Sequence, residues 1–240
     1  DDPTFTRNSA AYLSDGTQVD ANVPRFEAGK FGKAVLIEEG TTNLVPQDTS
    51  YLTLYGVTFT GTPDNFVVTA PSVGLGAFFR NFYGTFNTGS YITASFDITT
   101  TIECTIAVKL DENTANQYQR DIVLMPGKHR YSITKQIIGT DVTSCRIVFY
   151  PGYYTAPITI NIGNIQLEQK PYLTSFIVGT RAFEALTIPT ANVLNPNEGT
   201  VEGWWLMPDF NMFLSSPGYR RLWSTNNNDT NGFYSVFYLR

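Results

Sequence analysis

The side chains best suited to chemistry in this sequence are aromatic residues that stand beside turns and polar groups. Residues 150–154, YPGYY, place three tyrosines around a turn, and residues 78–83, FFRNFY, interleave aromatics with an arginine and an asparagine. Flat aromatic faces bind the C–H side of a sugar ring, while nearby amide, carboxylate or guanidinium groups bind its hydroxyls. We therefore predict sugar contacts by Tyr150, Tyr153, Tyr154, Arg80 and Tyr83.

Packing is the competing interpretation for these aromatics. Alternate residues of a strand face the core, so we expect Phe79 and some of its neighbours to be packing residues. The adjacent Trp204 and Trp205 must point to opposite faces of a strand, and one of them therefore faces outward. We include Trp205 as a candidate sugar platform; a neighbouring module or subunit that covers it is the alternative.

The acid–base groups of the sequence form no catalytic signature. His129 is the single histidine, which excludes a two-histidine metal motif, and its turn-like surroundings predict an ordinary exposed residue. Glycoside hydrolysis needs two carboxyl groups on opposite sides of the scissile bond. The Glu-x-Asp-x-x-Glu strand of concanavalin A-like glycosidases is absent, because Glu38-Glu39 precede Gly-Thr-Thr and Glu202 precedes Gly-Trp-Trp. We therefore predict a protein that is not an enzyme.

Metal and thiol chemistry have few candidates. Residues 224–232, STNNNDTNG, are typical of a hairpin loop, include a glycosylation sequon at 228–230, and carry oxygen ligands that suit Ca²⁺. No cofactor is required by the sequence, and Ca²⁺ is the one ion to test. Cys104 and Cys145 both lie in strand-like runs, so a cross-sheet disulfide and two buried free thiols both stay open.

Charge and hydropathy exclude two classes of partner. The 16 basic and 21 acidic residues give a net charge of −5 without a long basic run that could follow phosphates, so we expect no nucleic-acid partner. No apolar run approaches the ~20 residues that span a bilayer, so we expect no membrane insertion. The Asp1-Asp2-Pro3 start and the strand-like run at Arg240 predict a chain that is part of a longer protein.

These candidates need strands to position them. Aromatic residues make up 14% of the chain and charged residues 15%, a balance that favours strands over helices. Apolar and polar residues alternate at 91–98, 105–110 and 158–162, with turn residues at 87–89, 126–127, 151–152 and 163–164. We predict an all-β fold of sandwich type with almost no helix, and a loop or single helical turn at 111–119.

Two segments resemble known families. Residues 31–44, FGKAVLIEEGTTNL, resemble the first strands of laminin-G-like, concanavalin A-like domains of phage structural proteins and bacterial surface proteins. Residues 186–189, LTIP, and 199–208, GTVEGWWLMP, look like the strand pair that normally follows them. The intervening part ends in 163–169, GNIQLEQ, and is similar to carbohydrate-binding-module jelly rolls of phage tail-associated proteins and polysaccharide-degrading enzymes.

The resemblance implies two β-sandwich modules, one inserted in the other. Residues 1–46 and 176–240 would form a discontinuous and incomplete laminin-G-like sandwich, and 47–175 the inserted jelly roll. We expect a glycan-binding or adhesion module of a phage tail or of another virion- or cell-surface protein, located extracellularly or on the virion surface. Its partners would be a cell-surface or polymeric glycan and other protein subunits in a homo-oligomer. A purely structural subunit-interaction module, or an accessory module of a secreted polysaccharide-degrading enzyme, are the alternatives.

Overall fold

Strands account for all the regular secondary structure of the described residues. The computed structural model describes residues 2–29, 32–45, 52–62, 65–74, 77–113 and 115–189, all of which belong to one unit, Asp1–Glu202. Trp205, the 224–232 loop and the last predicted strands lie outside these residues. No helix long and apolar enough to cross a membrane occurs in the part of the chain that is described.

Two five-stranded antiparallel sheets form the sandwich. The strands of the front sheet are β7 (Leu52–Tyr55), β10 (Ala77–Phe86), β12 (Cys104–Glu112), β13 (Ala115–Leu124) and β15 (Val142–Tyr150). Those of the back sheet are β8 (Thr58–Thr62), β9 (Asn65–Ala70), β11 (Tyr91–Thr100), β14 (Gly127–Gln136) and β16 (Ile158–Glu168). The front sheet has the order β13-β12-β15-β10-β7 and the back sheet the order β14-β11-β16-β9-β8.

Apolar residues that alternate along both sheets meet in one core. Phe78 of β10 stacks on Phe149 of β15 with ring centroids 4.6 Å apart. Phe96 of β11, in the back sheet, meets Phe149 edge-on at 4.7 Å. Burial of large aromatic side chains contributes roughly 1.5–3 kcal/mol each, so this contact between the sheets is a main source of stability. The predicted all-β fold is confirmed.

Short strands from both ends of the chain lie beside the sandwich. They are β1 (Thr4–Thr6), β2 (Ala11–Tyr12), β3 (Gln18–Val19), β4 (Arg25–Gly29), β5 (Gly32–Leu36), β6 (Thr41–Thr42), β17 (Thr180–Arg181) and β18 (Ala185–Thr187). β1 pairs with β18 and β6 pairs with β17, both antiparallel. The first and last described segments therefore share two ladders of backbone hydrogen bonds.

A buried ion cluster joins the same two segments. The side chains of Arg7 and Arg25 are fully buried and both donate to Glu184 Oε1, at 2.9 Å each. Glu38 accepts a hydrogen bond from Arg25 at 2.8 Å and forms a salt bridge with Arg181 at 3.1 Å. Buried charges require such paired and hydrogen-bonded partners, so the cluster holds the segments in one arrangement.

The outer face of the back sheet is covered by the segment that follows β16. Thr93 of β11 is fully buried and donates to the Lys170 carbonyl at 2.8 Å. The guanidinium of Arg130 lies 5.8 Å from the ring of Phe176. Residues 170–177 therefore cover part of the outer face of the back sheet.

Two expectations about local structure are wrong. Residues 111–119 are the end of β12, a turn at Asn113 and the start of β13. Because β13 is an edge strand whose first seven residues are exposed, it lacks the apolar alternation that would have revealed it. The predicted turn at 163–164 lies inside β16, where Asn164 has φ +50° and the pairing with β11 shifts register, as in a β-bulge.

The two cysteines are buried free thiols, which decides between the two alternatives. Cys145 lies opposite Glu112 in the register of β12 and β15, and Glu112 is eight residues along β12 from Cys104. At ~3.3 Å per residue, the two cysteines are about 26 Å apart, far beyond the reach of a disulfide.

Candidate functional site: the outer face of the front sheet

The outward side chains of the front sheet form the candidate site, which we name the front face. On β15 these are Arg146, Val148 and Tyr150, since Cys145, Ile147 and Phe149 point into the core, and of the three Val148 is buried. The register carries the face across the sheet: Lys109 of β12 lies opposite Val148, and Asn81 of β10 lies opposite Arg146. Antiparallel pairing thus brings residues from distant parts of the sequence onto one surface.

Three tyrosines form a continuous cluster at one end of the front face. The rings of Tyr150 and Tyr153 are 6.0 Å apart, and those of Tyr153 and Tyr154 are 4.8 Å apart, both edge-to-face. Tyr153 and Tyr154 are 41% and 47% exposed, which leaves ring area for a ligand. The turn at 151–152 lies between Tyr150 and the other two tyrosines, and it lets Tyr154 reach Asp121 of β13 on the same face.

Polar side chains anchor this cluster to the neighbouring strands. The Tyr154 hydroxyl donates to Asp121 Oδ2 of β13 at 2.5 Å, and this hydrogen bond raises the pKa of Tyr154 to about 12. Gln119 donates to the other oxygen of Asp121 at 3.3 Å. The Lys109 ammonium lies 4.9 Å from the centroid of the Tyr150 ring, within the range of a cation–π contact. The aromatic rings are therefore held in place before any ligand arrives.

A charged pair occupies the middle of the front face. Arg146 donates from Nε to Asp111 Oδ2 at 3.0 Å. Asp111 is fully buried, and its Oδ1 has no hydrogen-bond partner among the described residues. With Lys109 and Asp121, the face carries two positive and two negative groups. This balance suits an uncharged ligand that offers hydroxyl groups.

Tyr83 marks the opposite end of the front face. It is 65% exposed and lies opposite Ser144 in the pairing of β10 with β15. Tyr150 follows Ser144 by six positions along β15, which corresponds to roughly 20 Å at ~3.3 Å per residue. The face is therefore long enough for a chain of several sugar units rather than a single ring.

The structure places four of the six predicted sugar-binding residues on the front face: Tyr150, Tyr153, Tyr154 and Tyr83. Arg80 is 1% exposed and points from β10 into the core side, as Phe78 and Phe82 do. It does not join the other four. Trp205 lies outside the described residues, and of Phe79 only the backbone is described.

Sequence reasoning missed several members of this surface, among them Lys109, Asp121 and Tyr55. Lys109 and Asp121 are ordinary charged residues in sequence, and their positions beside the tyrosines depend on the pairing of β12 with β13. Tyr55 of edge strand β7 is 69% exposed. It lies opposite Ala77 of β10 and belongs to the same face. No local motif surrounds any of them, so only the strand register reveals their role.

Metal and histidine chemistry gain no candidate in the described ranges. No group of three or more histidine, cysteine or acidic residues is arranged to hold a metal ion in the described part of the chain. His129 is exposed on β14 and contacts the Pro126 carbonyl at 3.0 Å, as expected for a residue beside a turn. The 224–232 loop, the predicted place for Ca²⁺, is not among the described residues.

Comparisons with known proteins find likenesses among solved structures alone. No protein-family model and no curated protein sequence matches the chain. The chain is similar to the enzymatically active domain of tailspike protein 4 of bacteriophage CBA120 at 17% identity and a TM-score of 0.39, over 57% of this chain and 22% of that one. It is also similar to the N-terminal cellulose-binding domain of β-1,4-glucanase C of Cellulomonas fimi, at 18% identity and a TM-score of 0.41, over 58% of this chain and 100% of that one.

A carbohydrate-binding module of family 29, CBM29-2, gives a likeness of the same size. The identity is 14% and the TM-score 0.41, over 57% of this chain and 98% of that one. Carbohydrate-binding modules and a phage tailspike domain are thus among the structures that this chain partly resembles.

Proposed function

We propose that this chain is a non-catalytic glycan-binding module that holds a chain of neutral sugars along the front face. The cluster of Tyr150, Tyr153 and Tyr154, packed ring to ring and still exposed at the surface, carries this proposal. Contact between apolar aromatic rings and water is unfavourable, and a bound sugar ring would cover the exposed faces of these tyrosines.

Hydrogen-bonding groups beside the rings complete the chemistry of sugar recognition. Asp121 and Gln119 lie at the tyrosine cluster, while Arg146 and Asn81 lie farther along the face. Carboxylate, amide and guanidinium groups bind hydroxyls in both the donor and the acceptor sense. Because these groups continue from the tyrosine cluster towards Tyr83, we infer an oligosaccharide or polysaccharide ligand.

The carboxylates of the front face suit binding better than hydrolysis. Asp111 is buried beneath the surface and paired with Arg146, and Asp121 accepts the Tyr154 hydrogen. A glycosidase needs one carboxylic acid that donates a proton and a second carboxylate across the bond. Both aspartates are already engaged as acceptors, which supports a module that binds without cleaving.

We further propose the module arrangement and its setting. Residues 47–175 would form a jelly roll inserted into a laminin-G-like module made by 1–46 and 176–240. The β1–β18 and β6–β17 pairings and the buried ion cluster support a structural link between the two end segments. The resemblance of 31–44 to phage and bacterial surface proteins supports a virion or cell surface as the location, with a surface glycan and other protein subunits as partners.

A glycan-array screen of the purified chain tests this function, with and without Ca²⁺. The matched variant is Tyr153→Ala/Tyr154→Ala, which removes two exposed rings and leaves the core unchanged. We expect binding to neutral glycans that the double variant loses. Absence of binding under every condition would contradict the proposal and favour an interaction module whose partner is another protein.

A further inference from the structure

A cavity lies at the edge of the sandwich, away from the front face. It has a volume of about 400 Å³ and is lined by residues of the two edge strands, β13 and β14, and by Ile138, which follows β14. Tyr118 of β13 lies opposite the core residue Leu110, so it points to the inner side of the front sheet. The tyrosine cluster lies on the outer side. We name this cavity the edge cleft.

The floor of the edge cleft is an electrically neutral pair. The Lys135 ammonium of β14 donates to the carboxylate of Glu112, and both residues are at least nine-tenths buried. The same carboxylate accepts from the Gly139 amide at 2.8 Å and from Asn116 Nδ2 at 3.2 Å. Because the buried charges cancel, the cleft has no net attraction for an anion or a cation.

The walls of the edge cleft carry one aromatic face and several amides. Tyr118 is 43% exposed. Within the described part of the chain, neither the Tyr118 hydroxyl nor the side-chain amide of Gln117 has a hydrogen-bond partner. Gln136 donates to the Gly89 carbonyl at 3.0 Å, which leaves its own carbonyl oxygen as an acceptor. An aromatic ring with unsatisfied amide donors and acceptors matches the C–H face and the hydroxyls of a sugar.

We propose that the edge cleft is a second saccharide-binding site, for one or two units of a neutral sugar. A volume of about 400 Å³ lies within the range of small-ligand pockets and is too small for a long chain. The Tyr118 ring provides the platform, and the amides of Asn116, Gln117 and Gln136 bind hydroxyls. A chain with two sites on different sides would bind a branched or surface-bound polysaccharide with a gain from multivalency.

The test is amide-resolved NMR titration with cellotetraose, xylotetraose, mannotetraose and galactotetraose, each at millimolar concentration. It uses the Tyr153→Ala/Tyr154→Ala protein, so that binding at the front face does not contribute. We expect saturable shifts of the Gln117, Gln136 and Ile138 amides with at least one of these sugars. The absence of cleft shifts with all four sugars would overturn the proposal.

Further substitutions assign the binding to the edge cleft. Tyr118→Ala should weaken it at least about fivefold, while Tyr118→Phe, which keeps the ring, and Phe183→Ala, which removes a 66% exposed ring outside the cleft lining, should not. Gln117→Ala is a second, milder loss of a binding group. Equal binding by the Tyr118→Ala, Gln117→Ala and Phe183→Ala proteins would also overturn the proposal. The titrated protein lacks the Tyr153 and Tyr154 rings of the front face. Neither result therefore bears on the proposed function, which the glycan-array screen tests separately.

Discussion

The Tyr154 hydroxyl donates a 2.5 Å hydrogen bond to Asp121 Oδ2 and so ties the loop after β15 to edge strand β13. The two residues are 33 positions apart in sequence, and β12 lies between β13 and β15 in the sheet. This single contact fixes the orientation of the outermost ring of the tyrosine cluster. If the front face binds glycans, Asp121 is a positioning residue for the aromatic platform.

Asp121→Ala should therefore weaken glycan binding, whereas Asp121→Asn, which keeps an acceptor oxygen, should retain most of it. We expect a loss of roughly threefold to tenfold for the alanine variant, measured by titration calorimetry, because one immobilised side chain regains its freedom. Equal affinities for the alanine variant and the wild type would show that the hydrogen bond does not position the ring.

The same contact has a pH signature. Tyr154 has a pKa raised from 10.0 to about 12 by its hydrogen bond to Asp121, so its contribution to stability is complete below pH 10 and is lost as pH rises towards 12. In the Asp121→Asn protein the pKa should return towards 10. NMR of carbon-labelled tyrosine follows this titration, and an unchanged Tyr154 pKa in the variant would refute the assignment.

Glu184 is the most sensitive point of the buried ion cluster. Both of its oxygens accept hydrogen bonds, Oε1 from Arg7 and Arg25 and Oε2 from Arg25 and the Glu38 amide. Glu184→Gln replaces one acceptor by a donor and leaves buried guanidinium charge uncompensated. We expect a loss of about 3–5 kcal/mol in the free energy of unfolding, measured with urea.

The matched control for this loss is Glu39→Gln. Glu39 is paired with Lys170 at 2.7 Å, but its side chain is 53% exposed, so water screens the pair. Its loss should cost less than about 1 kcal/mol. If both variants changed stability equally, the cluster would not hold the end segments together in the way described.

Glu38 makes the contribution of the ion cluster to stability depend on pH in the acidic range. Desolvation raises the pKa of this carboxyl, but the Arg181 charge and the hydrogen bonds from Ser175 and Arg25 outweigh it and lower the pKa below 4.5. Its contribution to stability is therefore present above pH 4.5 and disappears as pH falls through the lowered pKa. Glu38→Gln should flatten this part of the stability profile, and a profile identical to that of the wild type would contradict the ion pairing.

Both thiols should resist modification in the folded protein. Burial raises the pKa of Cys145 to about 12 and also raises that of Cys104, so neither forms the reactive thiolate at neutral pH. A thiol reagent should label neither residue in the native chain and both in urea without reductant. Labelling in urea that requires prior reduction would reveal a disulfide and contradict the structure.

The sequence predicted the strands of the sandwich well where apolar and polar residues alternate. β11, β12 and β16 follow such patterns because one face of each strand is core. β13 was missed because the first seven residues of this edge strand are exposed on both faces, so they show no alternation of apolar and polar residues. The bulge at Asn164 was mistaken for a turn because the same residues that end strands also bend them.

The candidate site could be predicted only in part for a related reason. The tyrosines of 150–154 stand together in sequence, and a local motif revealed them. Tyr83 and Arg80 are three positions apart on one strand, so they point to opposite sides of the sheet. Which of the two points outward depends on which side of β10 faces the core. Lys109 and Asp121 reach the site through the pairing of β12, β13 and β15, which no local pattern encodes.

The ion cluster shows the same limit for charged residues. Arginine and glutamate are mostly exposed in proteins, so these residue types alone give no sign that Arg7, Arg25 and Glu184 are buried. The structure buries all three because they come from distant segments and neutralise one another. The signal lies in the fold as a whole and not in the neighbours of each residue.

The most direct test of glycan binding on the front face is titration calorimetry with the best glycan of the array. The wild type is compared with Tyr153→Ala/Tyr154→Ala, after circular dichroism has shown equal folding of the two proteins. We predict that the double variant binds at least about tenfold more weakly, because truncation of central aromatic contacts costs upward of ~1.4 kcal/mol. An unchanged affinity would show that the glycan binds elsewhere and would contradict the account.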